Sequence, residues 1–287
     1  MPPEVKDAVI IAAGKGSRML PASLYCPKEF LPLIDVPSIH HIISEAVRAG
    51  VERIHVVISE EKRAFVEELV NLSDKFLPDG LEAELPTEIL YPIPGNVSLE
   101  IHIQKDQLGV GDALSCALDE ISGPCLVMLG DNLLMPEKLV GFSKGLRANP
   151  SEASSELVKE YNKEGLAIAG LTSVFEEGVS SYGVVEMSGN MVVEIVEKPN
   201  MTRASTNLVL CGRYVFPPDL GEILNQSQIV KMGELQSIGM LMEYSNGGRL
   251  IGHRLDGYKW YDFGTPTSWL NAMIDHARYR GDIAFDF

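Results

Sequence analysis

The feature that most narrows the fold is Ala8–Ala13, AVIIAA, an unbroken apolar run that stops at Gly14. A strand with one wet face alternates apolar and polar residues. A run without a polar position belongs to a strand buried on both faces, as in a parallel sheet with helices on each side. The residues that follow supply such helices. Pro37–Ala49 places Ile39, Ile42, Ile43, Ala46 and Val47 at helical spacing, with Pro37 suited to the first turn and Gly50 to the end. Arg53–Ile58 (RIHVVI) reads as the next strand and Glu60–Val70 as the next helix, with acidic residues near its positive end. Glu100–Gln104 reads as a strand, a helix begins at about Asp112, and Leu126–Leu129 is a buried strand ending at Gly130-Asp131. This alternation predicts an α/β fold, a mostly parallel mixed sheet with helices on both faces. Ligands of such sheets bind outside the carboxyl ends of the strands, where Gly14 and Asp131 both fall.

The second half adds β structure. Tyr182–Glu197 reads as a hairpin turning at Ser188-Gly189-Asn190, Leu208–Phe216 and Arg249–Leu255 as strands, and Thr267–Arg280 as an amphipathic C-terminal helix. There is no Ser/Gly linker and no internal repeat. The expectation is one domain over residues 1–287, with halves at 1–134 and 166–266 and a C-terminal helical segment at 267–287. Leu72–Ser98, rich in Pro and Gly, and Met135–Gly165, polar and helical, read as a lid or an insertion.

Charge and cysteine usage narrow the partners. Forty acidic against 24 basic residues give a net charge of −16, without a basic run. That excludes nucleic acid as the main partner. A nucleotide still fits, provided a few cations and a metal ion converge on its phosphates. Cys26, Cys116, Cys125 and Cys211 form no CxxC pair and no zinc spacing, and read as thiols in a reducing compartment. The opening MPPEVKD lacks a signal-peptide pattern, and no apolar stretch reaches membrane-span length. The expectation is a cytoplasmic protein without a membrane partner.

The richest stretch is Gly14–Pro32, GKGSRMLPASLYCPKEFLP. Glycines there let backbone approach a ligand and offer N–H groups to phosphate. Arg18 adds a planar fork and Lys28 a point charge. The spacing of a Walker A loop is absent, and Met19 stands where the dinucleotide fingerprint needs its third glycine. On spacing alone the GxG is equally a structural turn. Asp131 past a buried strand suits a hard cation or a helix cap. Gln104 alone reads as a loop residue, and Glu197-Lys198 as a surface pair.

Together these segments resemble the sugar-1-phosphate nucleotidyltransferases, whose signature reads roughly GxGTRxxPxTxxxPKExLP. The nearest group is the bacterial and archaeal UTP–glucose-1-phosphate uridylyltransferases. The resemblance runs from about Asp7 to His276 and implies a Rossmann-like nucleotidyltransferase fold. It implies that Ala13, Gly14 and Gly16 meet the nucleotide through backbone, and that Gln104 and Gly109 meet the base. Arg18 and Lys28 would hold the β- and γ-phosphates. Asp131 and Asp262, the latter in WYDFGTP, would hold Mg2+. Gly183, Glu197 and Asn207 would meet the sugar, and Lys198 its phosphate. Implied partners are an NTP, UTP first, and a sugar 1-phosphate, glucose 1-phosphate first, with assembly as a homo-oligomer.

Several positions depart from the group. Ser17 and Ser23 replace threonines, Leu24 a lysine, Ile103 an arginine, and Ile238-Gly239 the Thr-Asp that follows the GEIQ-like Gly233–Gln236. These leave dTTP or another sugar phosphate open. A non-catalytic sugar-nucleotide-binding subunit on this fold is a further alternative; such a subunit would be expected to lose the Arg18, Lys28, Asp131, Lys198 and Asp262 set that is present here.

Overall fold

The computed structural model describes residues 1–71, 91–137, 151–199, 206–226 and 237–280. Residues 72–90 of Leu72–Ser98, residues 138–150 of Met135–Gly165 and the GEIQ-like Gly233–Gln236 lie outside them.

The strands are β1 (Asp7–Ile11), β2 (Pro32–Leu33), β3 (Val36–Pro37), β4 (Arg53–Ile58), β5 (Ser98–Ile103), β6 (Cys125–Leu129) and β7 (Asn132–Pro136). They continue as β8 (Ala167–Ser173), β9 (Gly183–Ser188), β10 (Met191–Glu197), β11 (Leu208–Phe216), β12 (Leu250–Arg254) and β13 (Tyr258–Asp262). The helices are α1 (Ser38–Arg48), α2 (Arg63–Val70), α3 (Val110–Ser115), α4 (Ala153–Glu164), α5 (Leu220–Gln226), α6 (Ser237–Asn246) and α7 (Pro266–Arg280).

Among the described residues nine strands form one sheet, in the order β5-β4-β1-β6-β11-β8-β12-β10-β9. β5, β4, β1 and β6 are parallel. β11 runs antiparallel to β6 and to β8, and β9–β10 form the expected hairpin. The apolar run explains the parallel half. Ala8 and Ile10 face one core with α1, α2 and α4, while Val9 faces the other with α3, α5 and α6. Each fully buried Ile or Leu contributes about 1.5–3 kcal/mol.

The chain leaves β1 for β4 on one side and later returns to β6 on the other. That reversal opens a crevice beyond the carboxyl ends of β1 and β6. Gly130 lets the two ends close up: its N–H donates to Ile11 O at 2.8 Å, and an added Cβ would sit 2.9 Å from that oxygen.

Two features lie beyond the sequence reading. β8 is a central strand that the pattern left unassigned. β7 and β13 form a separate two-stranded ribbon, pairing Asn132 with Asp262. α7 packs beneath it around Leu33, Leu133, Tyr261, Phe263 and Ala272.

Candidate active site

The loop after β1 is held from behind. Lys62, buried at the start of α2, donates from Nζ to Ala12 O, to Gly14 O at 2.8 Å and to Glu29 Oε2 at 2.8 Å. Three donors meet three acceptors, so the ammonium is satisfied. Burial pushes Lys62 down and Glu29 up from their ordinary values. Gln107 Nε2 donates to Ala13 O at 2.8 Å, and Ser23 Oγ to Gly16 O at 2.9 Å. Gly16 sits at φ 65°, a conformation that favours glycine. The hydroxyl at Ser23 is therefore used to close the loop.

Two adjoining clefts result. The first, about 340 Å³, is lined by Gly14, Lys15, Lys28, Lys62 and Gln107 among others. The second, about 320 Å³, brings together Arg18, Asp131, Gly183, Glu197, Lys198 and Asp262. Lys28 links them, because its ammonium forms an ion pair with Asp131. Burial alone would lower Lys28, but the Asp131 and Glu29 carboxylates outweigh it and hold it above its ordinary value. Burial raises Asp131, and Lys28 more than reverses that.

The β7–β13 ribbon sets the aspartates. Asp131 directly precedes β7 and Asp262 ends β13; Phe263 N–H donates to Asp131 O at 2.7 Å. Trp260 Nε1 donates to Asn132 Oδ1 and Asn132 Nδ2 to Asp131 Oδ1, both at 2.7 Å. Arg213, buried against Glu45 of α1, donates to Asn132 O at 2.8 Å and steadies the same corner. Burial and then the Asp131 charge raise Asp262 above the ordinary carboxylate value. Arg18 Nη1 stands 4.0 Å from Asp262 Oδ2. It fits there only over glycine, since a Cβ on Gly264 would lie 2.1 Å from Arg18 Nη2.

On the opposite wall Lys198 Nζ is 3.4 Å from Glu197 Oε1. Gly183 has no room for a side chain: a Cβ would meet Ile238 Cδ1 at 2.8 Å and Glu197 Oε2 at 3.3 Å. Ile238, one of the departures, thus lines this cleft.

Of the expected residues, Ala13, Gly16, Gln104, Gly109 and Asn207 do not line either cleft. Gln104 spends both amide protons internally, on Gly109 O at 3.0 Å and Asp112 Oδ2 at 2.7 Å. Gly109, at φ 101°, turns the chain into α3, whose first residue Val110 lines the second cleft. Asn207 is exposed, and its amide donates to Val174 O at 3.2 Å. Sequence reasoning missed Lys62, Glu29 and Gln107 as loop anchors. Lys62 follows two glutamates at a helix start and reads as a solvated charge.

Comparison with known proteins bears on the family and the fold. A family model described as nucleotidyl transferase matches residues 7–278. UTP–glucose-1-phosphate uridylyltransferase of Bacillus subtilis is 34% identical, covering 96% of this chain and 91% of its own. The protein named UTP–glucose-1-phosphate uridylyltransferase 1 in Staphylococcus saprophyticus is 31% identical, covering 96% and 93%. A solved UDP-glucose pyrophosphorylase complexed with UDP-glucose superposes with a TM-score of 0.81 at 26% identity, over 96% of this chain and all of that one. Sequence, topology and the gathered cleft residues lead to one conclusion: the chain belongs to the nucleotidyl transferase family.

Proposed function

We propose that the chain transfers a uridylyl group from UTP to glucose 1-phosphate, giving UDP-glucose and pyrophosphate. The observation that carries this reading is the gathering of Arg18, Asp131, Gly183, Glu197, Lys198 and Asp262 in one cleft, with Lys28 on Asp131. The names of the relatives support uridine and glucose as the substrates.

The chemistry is an in-line displacement. An oxygen of the sugar phosphate attacks the α-phosphorus, the bond to the β-phosphate breaks, and pyrophosphate leaves. The nucleophile is already anionic, so the protein needs to position two mutually repelling anions rather than remove a proton. Lys28 and Arg18 neutralise the nucleotide phosphates and the departing pyrophosphate. Lys198 holds the sugar phosphate, and Glu197 accepts hydrogen bonds from sugar hydroxyls beside the open backbone of Gly183. Lys28 is held in place on Asp131 before substrate arrives, and preorganised charge of this kind is where such sites gain most of their effect.

The donor set at Asp131 and Asp262 fits Mg2+. Asp131, held below its ordinary value by Lys28, and Asp262, raised by burial and then by the Asp131 charge, offer hard oxygen ligands, and Mg2+ takes one or two of these with substrate phosphate and water. When bound, the ion would screen charge at the reacting phosphates. A cytoplasmic setting accords with four free cysteines, of which Cys125 and Cys211 are pushed up to about 12 by burial. No helix among the described residues is long and apolar enough to cross a membrane. The same reading carries a homo-oligomer, which light scattering measures directly.

The test is a panel of nucleotides and sugar phosphates, read by pyrophosphate release with and without Mg2+. UTP with glucose 1-phosphate should be the preferred pair, and Lys198→Ala should lose sugar-phosphate use while still binding UTP. Absence of pyrophosphate from every pair, or unchanged sugar-phosphate kinetics in the variant, would sink the proposal.

A further inference from the structure

β4 and β5 place two histidines side by side, away from both clefts. His55 Nδ1 and His102 Nε2 are 3.0 Å apart, and both residues are buried. The far side of each ring is already committed. His55 Nε2 lies 3.1 Å from Asp7 Oδ1, and Arg53 grips the same carboxylate at 2.6 and 2.8 Å. A carboxylate paired with arginine accepts and does not donate, so in the neutral His55 ring the proton sits on Nε2 and Nδ1 carries a lone pair. The His102 ring hydrogen-bonds the main chain of Cys116. The Cys116 N–H is spent on Asp112 O and Ala113 O within the helix end, so the carbonyl accepts and the ring donates. The His102 nitrogen facing His55 therefore carries a lone pair too.

Two lone pairs held 3.0 Å apart call for a positive centre between them, a shared proton or a metal ion. A third group shows which kind. The Glu120 carboxylate, reaching in from solvent, has an oxygen within 4.8 Å of a ring nitrogen of each histidine. Two imidazoles and a carboxylate are donors suited to a first-row transition ion. Outer ring nitrogens tied to a carboxylate and to main chain are the second layer such ions use to orient their ligands. Tetrahedral zinc holds nitrogen at about 2.0–2.1 Å, which separates two ligand nitrogens by about 3.3 Å. A small rotation of either ring provides that spacing.

We propose that His55, His102 and Glu120 form a site for zinc or a similar transition ion, separate from Asp131 and Asp262. The bound ion joins β4, β5 and the Leu118–Glu120 turn, which follows α3, so it clamps the back of the nucleotide-binding half. The site is independent of the transferase reading and stands or falls by binding.

The experiment titrates Co2+ into the full chain with Mg2+ in excess, so that the carboxylate pair is occupied by a hard ion. Visible absorption and equilibrium dialysis report uptake, and Zn2+ is followed by the unfolding temperature. The wild type should take up Co2+ with a nitrogen-ligand absorption band and should melt higher with Zn2+. Glu120→Gln, at an exposed position, should leave the fold intact and weaken binding about tenfold or more. His102→Ala should remove the band. The proposal is overturned if the wild type takes up no Co2+, or if either variant binds it as tightly as the wild type.

Discussion

Lys198 is held at φ 44°, in the left-handed region that side-chain-bearing residues avoid. The strain costs about 1–2 kcal/mol. Its N–H donates to Tyr182 O at 3.0 Å, which fixes the turn and leaves the ammonium beside Glu197 in the cleft. Strain kept at a position with a proposed ligand contact marks a trade of stability for placement. The two components separate experimentally. Lys198→Asn should melt above Lys198→Ala, by about 0.5–1 kcal/mol, because asparagine tolerates this conformation better. Both variants should be equally poor with sugar phosphate. Equal stability of the pair in urea unfolding would remove the strain argument.

At the scale of elements, one buried lysine connects the start of α2 to the glycine loop. Lys62→Met leaves Glu29 buried without its partner, and breaking a pair of this kind costs about 3–5 kcal/mol. Adding Glu29→Gln should recover part of the loss, and a double variant as unstable as the single one would show that the pair is not the cause. This contact also marks where the sequence stops being readable. β1, β4, β11 and α1 were legible because a buried strand or an amphipathic helix writes its period into consecutive residues. β4 and β11 fall on the expected spans, and the hairpin turns where expected. β8 escaped because Ala167, Ala169 and Gly170 lack the branched side chains that mark a strand. Gly170 is small for a reason visible only in space: a Cβ would sit 3.1 Å from Arg213 O. The Glu60–Val70 helix was legible, but its first turn is 3-10, at Glu60–Lys62, and that turn carries Lys62 inward. The cleft residues followed from motifs, whereas the internal use of the Gln104 amide depends on which way a side chain points, and no spacing encodes that.

For the whole molecule, a net charge of −16 meets two anionic substrates. The cations of the site line the clefts, and the net negative charge predicts a repulsive field at longer range. Raising ionic strength from about 0.01 to about 0.15 M shortens the screening length from about 30 to about 8 Å. Long-range repulsion should then fade before the contacts inside the cleft weaken. The expected outcome is a rise in kcat/KM for the sugar phosphate over that interval. A steady fall from the lowest salt would mean that the field at the cleft mouth is attractive instead.

The ribbon of β7 and β13 has a consequence for the timing of synthesis. Asp131 and Asp262 become neighbours only when the strand ending at Asp262 pairs with the one beginning at Asn132. A chain still emerging from the ribosome holds half of this pair until β13 arrives. Prematurely terminated products that stop before β13 should bind nucleotide weakly and turn over nothing. Two separately expressed pieces, divided between β7 and β13, should regain catalysis only on reassociation.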